Sequence, residues 1–229
     1  MFVLEGARLV FDALNSSYEV ETFLITESAN EKYFDSSVQM QRKSKNSYFI
    51  SDTLSQKISE TKNSQGVFAV CKMKNENISL KTGQKYIALD NLQDPGNLGT
   101  VIRTAEALGI SSVIVGGGCD VFNPKVLRAS MGSVLRLDVF ECQSLAPVLQ
   151  KAKSLGIKTY ATSPDSSAKK INETQFPKSS LCVIGNEANG VSDEVLNICD
   201  ETVTIPMLGR AESLNAHVAG AIVMWEMLR

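Results

Sequence analysis

From residue 85 onward, short apolar runs at 86–89, 113–115, 158–161, 181–184 and 202–205 alternate with longer segments whose apolar positions recur every three or four residues. Runs of that length suit strands buried on both faces, and the longer period suits helices packed across them. The pattern predicts helices over 98–108, 124–129, 145–155, 193–198 and 213–228. It therefore predicts an α/β fold, a mostly parallel sheet with helices on both faces. Towards the N-terminus the alternation is shorter, with a helical pattern over 6–15 and strands over 20–26 and 66–72, which describes a small α/β unit. Between the two, a polar stretch is broken only by Ile78 and Leu80. The expected division is a first domain over 1–74, a linker over 75–84 and a second domain over 85–229.

Ligands in sheets of this kind sit beyond the carboxyl ends of strands, and three unusual segments begin there. The first is Asp90-Asn91-Leu92-Gln93-Asp94-Pro95-Gly96-Asn97-Leu98-Gly99-Thr100-Val101-Ile102-Arg103-Thr104. The second is Gly185-Asn186-Glu187-Ala188-Asn189-Gly190-Val191. The third is Ile205-Pro206-Met207-Leu208-Gly209-Arg210-Ala211-Glu212-Ser213-Leu214-Asn215-Ala216-His217-Val218-Ala219. The third joins a strand end, a glycine-bearing loop and a helix start, and free N–H groups at a helix start can face a small ligand. Asn97 and Arg103 stand six apart, so on one helix they lie on different faces; the reading favoured here puts Asn97 in the turn before the helix, near its N-cap, and Arg103 inside it. A buried guanidinium at 103 would need anionic company, a phosphate or a carboxylate. Gly185 and Gly190 point to a tight turn or a close approach to a ligand. Read blandly, Asn97 is a helix cap, Glu187 a solvated loop carboxylate and Ser213 the cap of the last helix.

Taken together, the three segments closely resemble the three motifs of SPOUT-class methyltransferases, in the SpoU or TrmH branch that methylates ribose 2′-hydroxyls of RNA, and the resemblance spans the whole chain. It implies a SPOUT domain with a trefoil knot, a homodimer whose active site draws on both partners, and S-adenosylmethionine as methyl donor. It carries catalytic roles over to Arg103, Asn97, Glu187, Ser213 and Asn215. Arginine keeps its proton in proteins, so Arg103 is expected to position the target phosphate and stabilise alkoxide charge, which leaves the proton acceptor open. Glu187 is expected to brace Asn97, Arg103 or the loop by charge-assisted hydrogen bonds. Thr162, Gly185, Ile205, Met207 and Leu214 are implied to cradle the cofactor, adenine needing an apolar slot and main-chain bonds at its edge. His217 departs from the family, which carries a small residue there. As the sole histidine it invites a general-base role, but a side chain facing the subunit interface is the preferred reading. Met224, Trp225 and Met227 read as core or dimer packing.

The first domain resembles the small L30e-like RNA-binding domain of the family: Glu5-Gly6-Ala7-Arg8-Leu9-Val10 matches its early strand-to-helix turn and Gln65-Gly66-Val67 the turn into its last strand. Family members carry about one helix more before this point, so the start is expected to be trimmed or the first helix absent. Because that extra domain resembles those of ribosomal members, ribosomal RNA is the expected substrate and transfer RNA the alternative.

Charge narrows how RNA could be held. The formal net charge is −2 and the pI about 5.6, which excludes a broadly electropositive coat and leaves local patches. Arg42, Lys43 and Lys45 form one, Lys125 with Arg128 a second, and Lys169-Lys170 a third. Each alone reads equally as a solvated face. Five cysteines without C-x-x-C pairs and a single histidine argue against a metal site, and Cys71, Cys142 and Cys182, in apolar strand-like runs, read as small buried hydrophobes in a reducing compartment. No apolar stretch approaches the ~20 residues needed to span a bilayer and no signal segment stands at the start, so a cytoplasmic, membrane-free protein is expected. Gly116-Gly117-Gly118 lacks the spacing of a dinucleotide fingerprint and reads as a flexible turn, which disfavours a nucleotide-binding oxidoreductase. A noncatalytic RNA-binding or ribosome-assembly protein of the same fold is the nearer competitor.

Overall fold

The computed structural model describes every residue except Asn75, Glu76 and Ser166. Asn75 and Glu76 open the expected linker and lie outside the described residues. The chain forms two compact units, Met1–Asn75 and Glu76–Arg229.

The first unit runs β1 (Phe2–Glu5), α1 (Ala7–Asp12), β2 (Val20–Thr26), α2 (Glu27–Lys32), α3 (Phe34–Lys43), β3 (Asn46–Ile50), α4 (Asp52–Ile58) and β4 (Val67–Cys71). Its sheet has the order β1-β4-β2-β3, with β4 antiparallel to both neighbours and β3 parallel to β2. The β1–α1 turn is built by residues distant in sequence. Gly6 has φ 95°, its N–H bonds the Val67 carbonyl at 2.9 Å, and the Gln65 side chain accepts from Ala7 N at 2.7 Å. Gly66, at φ 71°, leaves no room for a side chain: a Cβ would stand 2.4 Å from Thr26 Oγ1. Three helices and β3 go beyond the elements expected here. They are short and polar, and β3 is exposed along most of its length, so apolar periodicity does not betray them.

The second unit runs β5 (Lys85–Asp90), α5 (Pro95–Leu108), β6 (Ser112–Gly116), α6 (Pro124–Ala129), β7 (Asp138–Cys142), α7 (Ala146–Ser154), β8 (Lys158–Thr162), β9 (Lys169–Lys170), β10 (Ser180–Ile184), α8 (Asp193–Ile198), β11 (Glu201–Thr204) and α9 (Ala216–Leu228). Seven parallel strands lie in the order β7-β6-β5-β10-β8-β11-β9. The α/β parallel-sheet expectation holds, with β7 and the short β9 added. β7 is half-exposed and β9 has two lysines, so neither carries a buried-strand signature. Within the expected linker, Leu80 is buried in the core of this unit beside Tyr86 and Leu181, and Lys81 N donates to the Tyr86 hydroxyl at 2.7 Å.

Strand order decides what the loops can do. β10 enters between β5 and β8, and β11 pairs with β8, so β5, β10, β8 and β11 are consecutive neighbours. Being parallel, they send their following loops out of one edge. Those loops begin at Asn91, Gly185, Ser163 and Ile205, which brings all three motif segments to the same end of the sheet.

Candidate active site

The first motif starts its helix earlier than expected. α5 opens at Pro95, with Asp94 as N-cap accepting from Asn97 N at 2.8 Å, an arrangement that suits proline's missing N–H. Asn97 is thus inside the first turn rather than in the loop before it. It is 6% exposed, so its amide needs partners from the protein.

Those partners come from the other two motifs. Asn97 Nδ2 donates to Glu187 Oε1 at 2.8 Å, and Asn97 Oδ1 lies 2.9 Å from His217 Nδ1. Glu187 also accepts from the backbone N–H groups of Asp94 and Gln93, both at 3.2 Å. Partial burial pushes the Glu187 carboxyl up, but the hydrogen bonds from Asn97 and from backbone N–H groups outweigh it and hold the pKa below the ordinary glutamate value. Around this centre, Asn186 Nδ2 donates to the Asn91 carbonyl at 2.8 Å and Ser192 N to Asp90 Oδ2 at 2.8 Å. The loop is closed by an Asn186–Gly190 bridge. Gly185 is required beneath it, because a Cβ there would stand 2.1 Å from the Gly190 carbonyl carbon; Gly190 itself has φ 69°.

Arg103 stands apart from this cluster. It is exposed on α5, with no hydrogen-bond or ion-pair partner among the described residues, so the expected burial is not seen in the single chain. Six residues of helix separate it from Asn97, about 9 Å along the axis. Ser213 is also exposed and caps nothing: α9 begins at Ala216, and its N-cap is Asn215, whose Oδ1 accepts from His217 N at 3.0 Å. His217 turns toward Asn97 instead of away from the motifs.

The residues implied to hold the cofactor leave three adjacent strands. Thr162 ends β8, where its hydroxyl donates to the Val183 carbonyl at 3.1 Å; Gly185 follows β10 and Ile205 follows β11. Met207 and Leu214 present partly exposed apolar side chains. Among the described residues, the main chain from Pro206 to Leu214 makes no hydrogen bond within the chain. Its N–H and C=O groups are open to a ligand's edge beside apolar side chains, which is the donor set an adenosyl sulfonium requires. The residues present fit that group.

The basic clusters are less uniform than their sequence suggests. Lys43 Nζ donates to the carbonyls of Ala13, Leu14 and Ser16 at 2.5–2.8 Å, closing the end of the first helical segment, and burial lowers its pKa. Lys45 pairs with Glu19 and Glu21. Arg42 is exposed with no partner among the described residues. Lys125 is exposed, while Arg128 is half-buried and engaged within the chain. Lys170 pairs with Glu173.

The glycine triplet is shaped rather than loose. Gly116 packs under Leu145, Gly117 has φ 70°, and a Cβ on Gly118 would stand 2.2 Å from the Leu92 carbonyl oxygen. All five cysteines are free; Cys71 and Cys182 are fully buried, and burial raises the Cys71 thiol to about 11. No helix among the described residues is long and apolar enough to cross a membrane.

Sequence reasoning left Asp94 unassigned and turned His217 toward a subunit interface, away from the Asn97 contact it makes. The Asp-Pro step three residues before Asn97 is a legible cap signal. The His217 contact is a meeting of residues 120 positions apart, which no local signal carries.

Residues 84–225 match the SpoU rRNA Methylase family model, and residues 1–69 match the MRM3-like substrate binding domain. The chain is 34% identical over 228 residues to the 23S rRNA (guanosine(2553)-2′-O)-methyltransferase RlmP of Bacillus subtilis, spanning 99% of this chain and 88% of that protein. Among solved structures, the SpoU methyltransferase AviRb of Streptomyces viridochromogenes in complex with AdoMet superposes with a TM-score of 0.86 at 27% identity, covering 99% of this chain and 88% of that one. An AdoMet-bound rRNA methyltransferase of Sinorhizobium meliloti gives 0.87 at 27% identity, covering 99% and 86%.

Proposed function

The chain belongs to the SpoU rRNA methylase family, and from that premise we propose that it transfers a methyl group from S-adenosylmethionine to a ribose 2′-hydroxyl of ribosomal RNA. When bound, the cofactor supplies an electrophilic methyl on a sulfonium. Thr162, Gly185, Ile205, Met207 and Leu214 hold it at the ends of β8, β10 and β11, largely through main-chain groups. Arg103 binds the phosphate beside the target ribose and stabilises charge developing on its oxygen, while Ser213 contacts the sugar end of the site. Asn97, Glu187 and Asn215 keep the loops in register, so catalysis rests on positioning. The observation that carries this reading is the Glu187–Asn97–His217 hydrogen-bonded chain, which joins all three motif segments at one edge of the sheet.

The same reading includes a trefoil knot formed where the second and third motif loops thread together, a homodimer and a cytoplasmic location. Support for the dimer comes from α9, whose buried side uses Val223, Met224 and Met227 while Trp225 is 63% exposed beside the partly exposed Val218 and Leu228. An exposed apolar stripe on an otherwise packed helix marks an association surface. The first unit supplies RNA contacts, with Arg42 the open cation of its cluster.

Two measurements test the proposal. Calorimetry with S-adenosylmethionine should show binding, and its absence would end the enzyme reading; binding without methyl transfer to ribosomal RNA would favour the noncatalytic competitor. Mapping methylated riboses in RNA from cells with and without the protein should reveal one missing ribose 2′-O-methyl group, and a missing base methyl instead would refute the assigned chemistry.

A further inference from the structure

We propose that His217 is a positioning residue that holds Asn97 through an Nδ1–H tautomer, pinning the start of α9 to the first turn of α5. The assignment follows from what each neighbour can donate. Glu187 accepts three N–H groups, from Gln93, Asp94 and Asn97. An ionised carboxylate offers only lone pairs, so Asn97 must turn its NH2 toward it. The Asn97 carbonyl oxygen then faces the imidazole at 2.9 Å. Two acceptors repel, so Nδ1 carries the proton and Nε2 is left with the lone pair when the ring is neutral.

Burial gives the contact its weight. Asn97 is 6% exposed, its N–H is taken by Asp94 and its NH2 by Glu187, so His217 is the donor that satisfies its oxygen. Without it that oxygen is stranded, a cost that falls on the place where three loops meet. His217 N is in turn held by Asn215. The clamp therefore sets where the Ser213-Leu214-Asn215 turn lies relative to the helix that carries Arg103. Nε2 takes no part, which separates this role from that of a proton acceptor. The effect on methyl transfer rests on the function proposed above; the tautomer does not.

The chain has a single histidine, so 15N-histidine labelling gives one imidazole spectrum and needs no assignment. At about pH 9, where imidazoles are neutral, wild-type protein should show a protonated Nδ1 and an unprotonated Nε2, a preference that N97A should abolish. An Nε2–H tautomer in the wild type would overturn the proposal, whether or not any variant folds. Asparagine reproduces a donor at the Nδ1 position and glutamine one at the Nε2 position. H217N should therefore keep kcat within about threefold of wild type at saturating cofactor, while H217A and H217Q should each lose about tenfold. Retained transfer in H217Q with loss in H217N would make Nε2 the working atom and sink the clamp. An Nδ1–H spectrum in a protein that methylates no RNA would leave the clamp standing and refute the activity instead.

Discussion

At the scale of single residues, the site separates side chains that hold loops from Arg103, which holds none and is proposed to meet the substrate phosphate. Arg103 has no structural task in the chain, since it is exposed and unpartnered among the described residues. Arg103→Ala should keep its affinity for S-adenosylmethionine by calorimetry and lose transfer by about a hundredfold or more, as removal of a charge-stabilising donor does; near-normal transfer would refute its role. Glu187 is the opposite case. Glu187→Gln puts an NH2 group where one of three N–H donors now points, and should lower stability by about 1–2 kcal/mol in denaturant titration. Because the folded-state pKa of Glu187 is depressed, its contribution is present above the unfolded value, about 4.3, and is lost as pH falls through the lower folded value. The gap in melting temperature between wild type and Glu187→Gln should therefore be constant near neutrality and shrink only below about pH 4.5. A gap that closes near pH 7 would mean that another group titrates. Motif spacing alone marked Glu187 and Asn97; their direct bond depends on how two strands neighbour each other.

At the scale of elements, the position of α5 matters most. Gly99 lets it lie against α6 so closely that a Cβ would stand 2.5 Å from Ala129 Cβ and 2.7 Å from the Val126 carbonyl oxygen. Gly99→Ala must push the helices apart, at a cost of about 2–3 kcal/mol. That corresponds to a melting temperature lower by roughly 5–10 °C for a domain of this size. Transfer should fall with it, because Asn97 and Arg103 ride on the displaced helix; unchanged melting would show that α6 yields freely. The long helices and buried strands of the second unit were legible because each has one dominant environment, and apolar period reports environment. Their starts were less so. α5 begins three residues early because Asp94 and Pro95 cap it, and α9 begins three residues late because Asn215, not Ser213, closes its first turn. Cap identity is a contest between neighbouring polar side chains, decided by which way the incoming loop is led.

At the scale of the whole molecule, α9 carries the prediction. Trp225→Glu places a charge in the exposed apolar stripe and leaves the buried Val223, Met224 and Met227 untouched. In the proposed dimer it should weaken self-association about thirtyfold or more, as loss of a central aromatic anchor does, and shift the protein toward monomer in light scattering at micromolar concentration. A variant and wild type with the same mass would refute the proposed α9 interface. Local pattern in the chain was enough to establish the class of fold and to mark the three segments that meet at one end of the sheet, because apolar period and motif spacing are properties of contiguous residues. It could not show that β10 lies between β5 and β8, that Lys43 and Lys45 serve their own unit, or that His217 reaches Asn97 across 120 positions. Those facts belong to strand order and packing, where the partner of a side chain is chosen by the path of the entire backbone and not by its neighbours along it.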